Sequence, residues 1–213
     1  PIIFFGNEFF DAIPIKQFLR KDSLFFEKCY ILNNKKRWNE IYKKASKKNI
    51  SQIKSYEVLK NLKFIEYPKL GFDELGKIVK KISKLSGGIL LIDYGYLGSY
   101  NSNTLQSVKK NRKTNLLNNI GTSDVTSLVN FNLLKEFFLK NNFKVKKVVS
   151  QKFFLEKMGI IERANILKKK MSTKEQINLD SRLFRLLNKQ MMGDLFKVIF
   201  AFKSKKSNFL GFK

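Results

Sequence analysis

Histidine is absent from this chain. That excludes a Ser–His–Asp triad, a histidine general base and any zinc site built on imidazole. The only cysteine, Cys29, excludes an intrachain disulfide, a cysteine zinc cluster and an iron–sulfur cluster. A chain without disulfides fits a reducing compartment. Cys29 lies in the apolar stretch Leu24 to Leu32, where a packed thiol is the expected state. No apolar run approaches the ~20 residues that cross a bilayer. Pro1 to Phe5 is apolar but too short to read as a signal peptide. A first residue that is Pro and not Met points to processing or to a piece of a longer protein.

Acids are scarce too. Seventeen Asp and Glu face 43 Lys and Arg, a net charge of +26. Such a balance suits a nucleic-acid or anionic-membrane partner. Yet Arg occurs only six times, Asn, Ile and Phe are abundant, and the lysines spread along the whole chain. That is the signature of AT-rich coding, and it disfavours nucleic acid as the partner. A hydrophobic content of 43% and an aromatic content of 14% are enough for one sizeable core in 213 residues.

The order of segments indicates an α/β fold. Pro1-Ile2-Ile3-Phe4-Phe5, stopped by Gly6, and Ile89-Leu90-Leu91-Ile92, ended by Asp93, are short apolar runs without alternation. They suit strands buried on both faces of a parallel sheet. Between them, Ser23 to Asn33 and Arg37 to Lys44 read as a hairpin turning near Asn33-Asn34, and Lys47 to Asn61 as a polar surface excursion. A helix is predicted from Asp73, with Leu75, Ile78, Val79, Ile82 and Leu85 on one face and Gly87 at its end. It would be the crossover between parallel strands. Tyr94 to Gly121, rich in Gly, Ser and Asn, reads as a long loop of the kind that carries function. Leu133, Leu134, Phe137 and Phe138 stripe another helix, capped by Asn130 or Asn132. Lys144 to Gln151 alternates like a strand. Ser172-Thr173-Lys174-Glu175 is a capping box opening a helix to about Gln190, and Val198 to Phe202 is a final strand.

Two polar clusters follow the buried runs: Asn7-Glu8-Phe9-Phe10-Asp11 and Asp93-Tyr94-Gly95-Tyr96. Ligands of open α/β sheets bind beyond the carboxyl ends of the strands, so both clusters are expected on one rim. Glu8 and Asp11 share a face if their segment is helical. Taken alone, the same spacing is more often that of a capped turn, with Asn7 as the cap and Asp11 complementing the helix dipole.

Longer blocks change that weighting. Asn7-Glu8-Phe9-Phe10-Asp11-Ala12-Ile13-Pro14-Ile15-Lys16-Gln17-Phe18, Gly87 to Tyr96, Thr104 to Val108, Gly121 to Thr126, Val129-Asn130-Phe131, Ser150 to Arg163 and Met192 to Val198 occur in one order along the chain. That set resembles the MidA-like family, protein arginine methyltransferases of respiratory complex I assembly. The resemblance departs from the family pattern at Leu128, where the family carries His, and at Asn130, where it carries Asp.

The resemblance implies the C-terminal part of a Rossmann-like class I methyltransferase fold, entered at about the fourth strand, with a hairpin and helical excursion inserted over residues 19–72. It implies a substrate-side loop region over 94–130 and one domain over 1–213. S-adenosyl-L-methionine is the implied methyl donor, and arginine on a complex I (NADH dehydrogenase) subunit the implied protein substrate, with no metal. Glu8, Asn7 and Asp11 are the candidate catalytic residues, Asn7 also the candidate donor contact, and Asp93, Tyr94, Asp124 and Thr126 the candidate substrate contacts. Neither Gly87-Gly88 nor Gly95-Tyr96-Leu97-Gly98 has the strand, glycine-rich turn and helix with a following acid that a donor loop requires. The chain is therefore expected to lack the main donor site, to be inactive alone, and to expose a sheet edge. The implied location is the cytoplasm in a bacterium or the mitochondrial matrix in a eukaryote. Two rivals stand beside it: a non-catalytic, chaperone-like complex I binding protein and a basic nucleic-acid-binding protein.

Overall fold

The computed structural model describes residues 1–110, 112–118, 120–205 and 208–212. In chain order the strands and helices are β1 (Ile2–Asn7), β2 (Lys16–Lys21), β3 (Leu24–Leu32), β4 (Trp38–Lys44), α1 (Lys47–Lys54), β5 (Phe64–Tyr67), α2 (Lys69–Leu85), β6 (Gly87–Tyr96), β7 (Gln106–Lys109), β8 (Arg112–Thr114), β9 (Asp124–Thr126), β10 (Val129–Asn130), α3 (Phe131–Lys140), β11 (Lys144–Val145), β12 (Val149–Ser150), α4 (Gln151–Lys157), α5 (Ile160–Lys168), α6 (Thr173–Leu187) and β13 (Phe196–Lys203).

The main sheet runs β1-β6-β13-β11, with β10 added to β6 and β12 to β13. β1 and β6 are parallel, Ile2 opposite Gly87 and Asn7 opposite Ile92, so both strands reach the same rim together. The expected parallel pair is thus present, and β13, antiparallel to β6 over eight residue pairs, makes the sheet as a whole mixed. On one face, Ile89, Leu91, Ile199 and Ala201 pack with Leu75, Val79 and Ile82 of α2 and Leu134, Phe137 and Phe138 of α3. On the other, Ile92 and Val198 meet Phe154 of α4.

β1 is an edge strand, not a strand buried on both faces. Ile2 and Phe4 pack on the core, while Ile3 and Phe5 are 64% and 65% exposed. Alternation of side chains across a strand produces this whenever only one face is covered. The expected exposed sheet edge is thus present among the described residues.

A second sheet, β4-β3-β2-β5, contains the expected β3–β4 hairpin. The stretch from Lys47 is more than a surface excursion. It forms α1, capped by Ser46, and sends Ile53 and Leu59 into the core. Their separation by polar residues hid them from a periodicity reading. α2 starts at Lys69, one turn before Asp73, with Asp73 paired to Lys69 rather than capping. Its last turn leaves Leu85 exposed, and it stops at Ser86, which adopts φ 63°. Residues 94–121 are not one loop. β6 continues to Tyr96, and β7 joins β8 and β9 in a small antiparallel sheet. Lys144 to Gln151 is likewise two short bridges to β13, with Gln151 already opening α4.

The helix caps follow the sequence. Asn130 accepts the amide of Leu133 to start α3, and Ser172 and Glu175 form the reciprocal box of α6, which ends at Leu187. Phe138 is fully buried, its ring against Phe137 and Phe143. Phe138→Ala is expected to cost about 3–5 kcal/mol in urea unfolding, from lost burial plus the cavity left behind. Phe5→Ala, at the exposed edge, is expected to change stability by no more than about 0.5 kcal/mol.

Candidate functional site

The site grows from the parallel pairing of β1 and β6. Their last paired residues are Asn7 and Ile92, and the Glu8 amide adds one more bond, to the Ile92 carbonyl, at 3.0 Å. There β1 leaves the sheet. Glu8 turns the chain with a φ of 48°, a left-handed conformation that non-glycine residues seldom adopt outside constrained sites. The segment that follows is a turn, not a helix. Asn7 therefore caps no helix, and its amide lies 3.4 Å from the Glu8 carboxylate.

What holds the turn is Asp93, the first residue of β6 beyond its pairing with β1. One carboxylate oxygen accepts the amides of Phe10 at 2.8 Å and Asp11 at 3.2 Å, and the other accepts the Tyr94 amide at 2.9 Å. The Asp11 carbonyl in turn accepts from the Ser127 amide at 3.1 Å. The Glu8–Asp11 turn is therefore tied to β6 on one side and to the segment after β9 on the other. Asp93 is 2% exposed, and burial, with the Asp11 carboxylate nearby, pushes its pKa up to about 7 against the pull of the three amides.

Above the turn lies an open cleft of about 570 Å³, lined on one side by Glu8, Asp11, Ala12 and Tyr94 and on the other by Gln106 and Val108 of β7 and Ser123 to Thr126 around β9. Of the residues singled out from the sequence, Glu8, Asp11, Tyr94, Asp124 and Thr126 share this cleft. Asn7 sits at its edge beside Glu8, and Asp93 lies beneath it with its carboxylate occupied by backbone amides. Tyr94 rests edge-on against Phe196 at 5.5 Å, and burial with the neighbouring Asp11 carboxylate raises its pKa, so its proton stays on.

Several residues that position the second wall were not evident from sequence. Glu66 accepts the Gln17 amide group at 2.8 Å, the Thr104 hydroxyl at 2.6 Å and the Thr104 amide at 3.0 Å. The same Thr104 hydroxyl accepts the Leu128 amide at 2.9 Å, so the chain entering β7 and the chain leaving β9 are fixed to the second sheet together. Gln106 donates to Thr126 at 3.3 Å across the β7–β9 pair.

Among the described residues no group of three or more His, Cys, Asp or Glu could hold a metal ion. The glycines likewise do not form a donor cradle. A side chain on Gly87 would meet the Ile2 carbonyl oxygen at 1.8 Å, and one on Gly95 the Val129 carbonyl oxygen at 2.0 Å. Both serve close backbone approach within the sheet, and neither opens a glycine-rich turn into a helix.

Residues 1–149 match the family described as "Putative S-adenosyl-L-methionine-dependent methyltransferase". The chain belongs to this methyltransferase family. S-adenosyl-L-methionine is the methyl donor that defines it. The chain is similar to the protein arginine methyltransferase NDUFAF7 homolog, mitochondrial, of Caenorhabditis elegans, with 26% identity over 91% of this chain and 45% of the relative. It is also similar to the mitochondrial protein arginine methyltransferase NDUFAF7 of Danio rerio, with 23% identity over 92% of this chain and 46% of the relative. The chain thus spans about half the length of the curated relatives it matches. Its fold is that of a COG1565 superfamily member from Burkholderia thailandensis crystallised with S-adenosyl-homocysteine, with a TM-score of 0.77 and 18% identity over 98% of this chain and 55% of that one. The fold is thereby a Rossmann-like methyltransferase fold.

A carboxyl group whose folded pKa lies above its unfolded value adds stability at low pH and loses it as pH rises. For Asp93 the window runs from about 4 to about 7. The wild-type melting temperature is expected to fall across pH 5 to 7.5 relative to that of Asp93→Asn, which carries no titrating group there. The variant is expected to be the less stable of the two at pH 5, because its amide NH2 group faces a backbone N–H where the acid places an oxygen. A wild-type curve that runs parallel to that of the variant across this window would show Asp93 ionised throughout and would overturn the raised pKa.

Proposed function

We propose that this chain forms the acceptor-side wall of an S-adenosyl-L-methionine-dependent protein arginine methyltransferase. The observation that carries the reading is the cleft at the carboxyl ends of β1 and β6. Glu8, Asp11 and Asp124 line it and, among the described residues, no lysine or arginine does, in a chain with 43 basic residues. A wall of that composition suits a cation. Guanidinium is planar and stays protonated at any working pH, and carboxylates bind it through paired, charge-assisted hydrogen bonds.

S-adenosyl-L-methionine supplies the methyl group when bound. The described residues do not form its cradle, so their part is limited to the acceptor. Glu8, at the strand end with Asn7 beside it, orients the nitrogen and receives the proton that leaves it. Tyr94 keeps its own proton and serves as a donor and a packing surface. Asp93 holds the turn that carries Glu8 and Asp11 and makes no substrate contact. Asp124 and Thr126 shape the opposite wall.

The names of the mitochondrial relatives and the resemblance of the sequence blocks support the finer reading, an arginine on a respiratory complex I subunit modified during assembly. On that reading the protein works in the matrix if its source is a eukaryote and in the cytoplasm if it is a bacterium.

In the full-length protein Glu8→Gln is expected to lower methyl transfer to an arginine peptide by at least about 100-fold, the scale of a lost general base. Its circular dichroism should match that of the wild type. Near-normal turnover by the variant would remove Glu8 from the mechanism, and no transfer by wild-type protein supplied with donor and peptide would overturn the reading itself.

A further inference from the structure

Asp11 differs from the other acids of the cleft in one respect. It is only 5% exposed, yet its Oδ1 has no hydrogen-bond partner among the described residues. Native structures rarely leave a buried carboxylate oxygen unpaired, because its lost hydration is then uncompensated. The side chain has little means of escaping to water. The Asp11 amide is bonded to Asp93, its carbonyl to Ser127, and the Tyr94 hydroxyl bonds to its carboxylate. The backbone and one partner are fixed, Asp11 lines the cleft, and its Oδ1 is left without a partner just beneath the cleft surface.

We propose that this free oxygen of Asp11 is a guanidinium-binding site that makes the cleft select arginine over lysine and over neutral amides. The inference rests on the methyl-transfer reading above and adds the residue that discriminates the acceptor. A ligand reaching a buried oxygen must shed water at the point of contact. Guanidinium is weakly hydrated and presents flat N–H edges, whereas an ammonium is a compact and strongly hydrated charge. A neutral amide sheds water readily but leaves the buried carboxylate without a counter-charge. One N–H to Asp11 leaves the remaining guanidinium donors for Glu8 and Asp124, both exposed. The depth of Asp11 therefore sets which cation enters, and the rim acids hold it after entry.

The test uses the full-length protein with N-acetyl-arginine methylamide and its lysine counterpart, measured by calorimetry, together with methyl transfer to matched arginine and lysine peptides. Asp11→Asn is expected to weaken binding of the arginine probe about 10- to 100-fold, as for loss of a charge-assisted bond. It should raise KM for the arginine peptide far more than it lowers kcat, and leave the weak lysine binding unchanged. Its melting temperature is expected to be equal or higher, since an uncompensated buried charge has been removed. A residue with a purely structural role would give the opposite pattern: lower thermal stability or failure to fold, with arginine affinity unchanged in whatever folds. Either result overturns the assignment. Wild-type protein that binds and methylates arginine while Asp11→Asn does so equally well sinks the role of Asp11 alone. Wild-type protein that does neither sinks the methyl-transfer reading beneath it.

Discussion

Three amides converging on the Asp93 carboxylate are the constraint on which the site depends. Parallel strands cannot be joined by a tight turn, so the ends of β1 and β6 are independent pieces of chain until something ties them together. Asp93 supplies the tie where the backbone ladder has run out, one residue past Ile92. Charge-assisted bonds of this kind contribute roughly 1.5–3 kcal/mol each. They act against the penalty of burying the group, and that penalty is the larger effect on its proton affinity. The tie also explains how Glu8 can hold a φ of 48°. Strained backbone persists only where its surroundings leave no alternative, and here the residues on both sides are fixed by β6.

The electrostatics of the cleft follow from composition by contrast. A chain with 43 bases and 17 acids presents a surface that attracts anions over most of its area. A cationic side chain must find a place where that field is reversed, and the rim of β1 and β6 is lined by three acids and, among the described residues, by no base. Local charge dominates at contact distance, because the positive field of distant lysines is screened within about 10 Å at moderate salt. The overall charge and the acidic cleft are therefore compatible. The first acts on encounter with partners, and the second on the group that enters the site.

Much of the fold was legible in the sequence, and the remainder failed for identifiable reasons. The helix stripes of α2 and α3, the β3–β4 hairpin, the caps at Asn130 and Ser172 and the last strand all carry local signals that the structure repeats. The small β7–β8–β9 sheet gave no such signal, since its strands are three or four residues long and polar. It is held by contacts distant in sequence, such as Glu66 with Thr104, which no local pattern encodes. The apolar run of β1 was read as doubly buried because a run of apolar residues looks the same whether or not its second face is covered. In the site, the placement of Glu8 and Asp11 beside β6 followed from strand order alone. The separation of Asp93 from the cleft did not, because a carboxylate that faces a substrate and one that accepts backbone amides occupy the same position in the sequence.

The departures from the family pattern at Leu128 and Asn130 can now be weighed by what surrounds them. Asn130 accepts the Leu133 amide and starts α3, and its side chain also bonds Tyr96. Burial raises the pKa of that tyrosine to about 12, partly offset by the Asn130 side chain, whose NH2 group donates to its oxygen while its carbonyl caps the helix. An aspartate there would also cap the helix but would add a charge close to Glu66, whose carboxylate already raises the Tyr96 pKa. Leu128 is held through its backbone, with its amide on Thr104, and it lines a small cavity with Phe10, Phe72 and Leu134 on its apolar side and Glu66, Tyr96 and Asn130 on its polar side. It does not line the acidic cleft. The change to leucine therefore falls on a cavity lined by both apolar side chains and the polar groups of Glu66, Tyr96 and Asn130, and leaves the acidic wall itself intact.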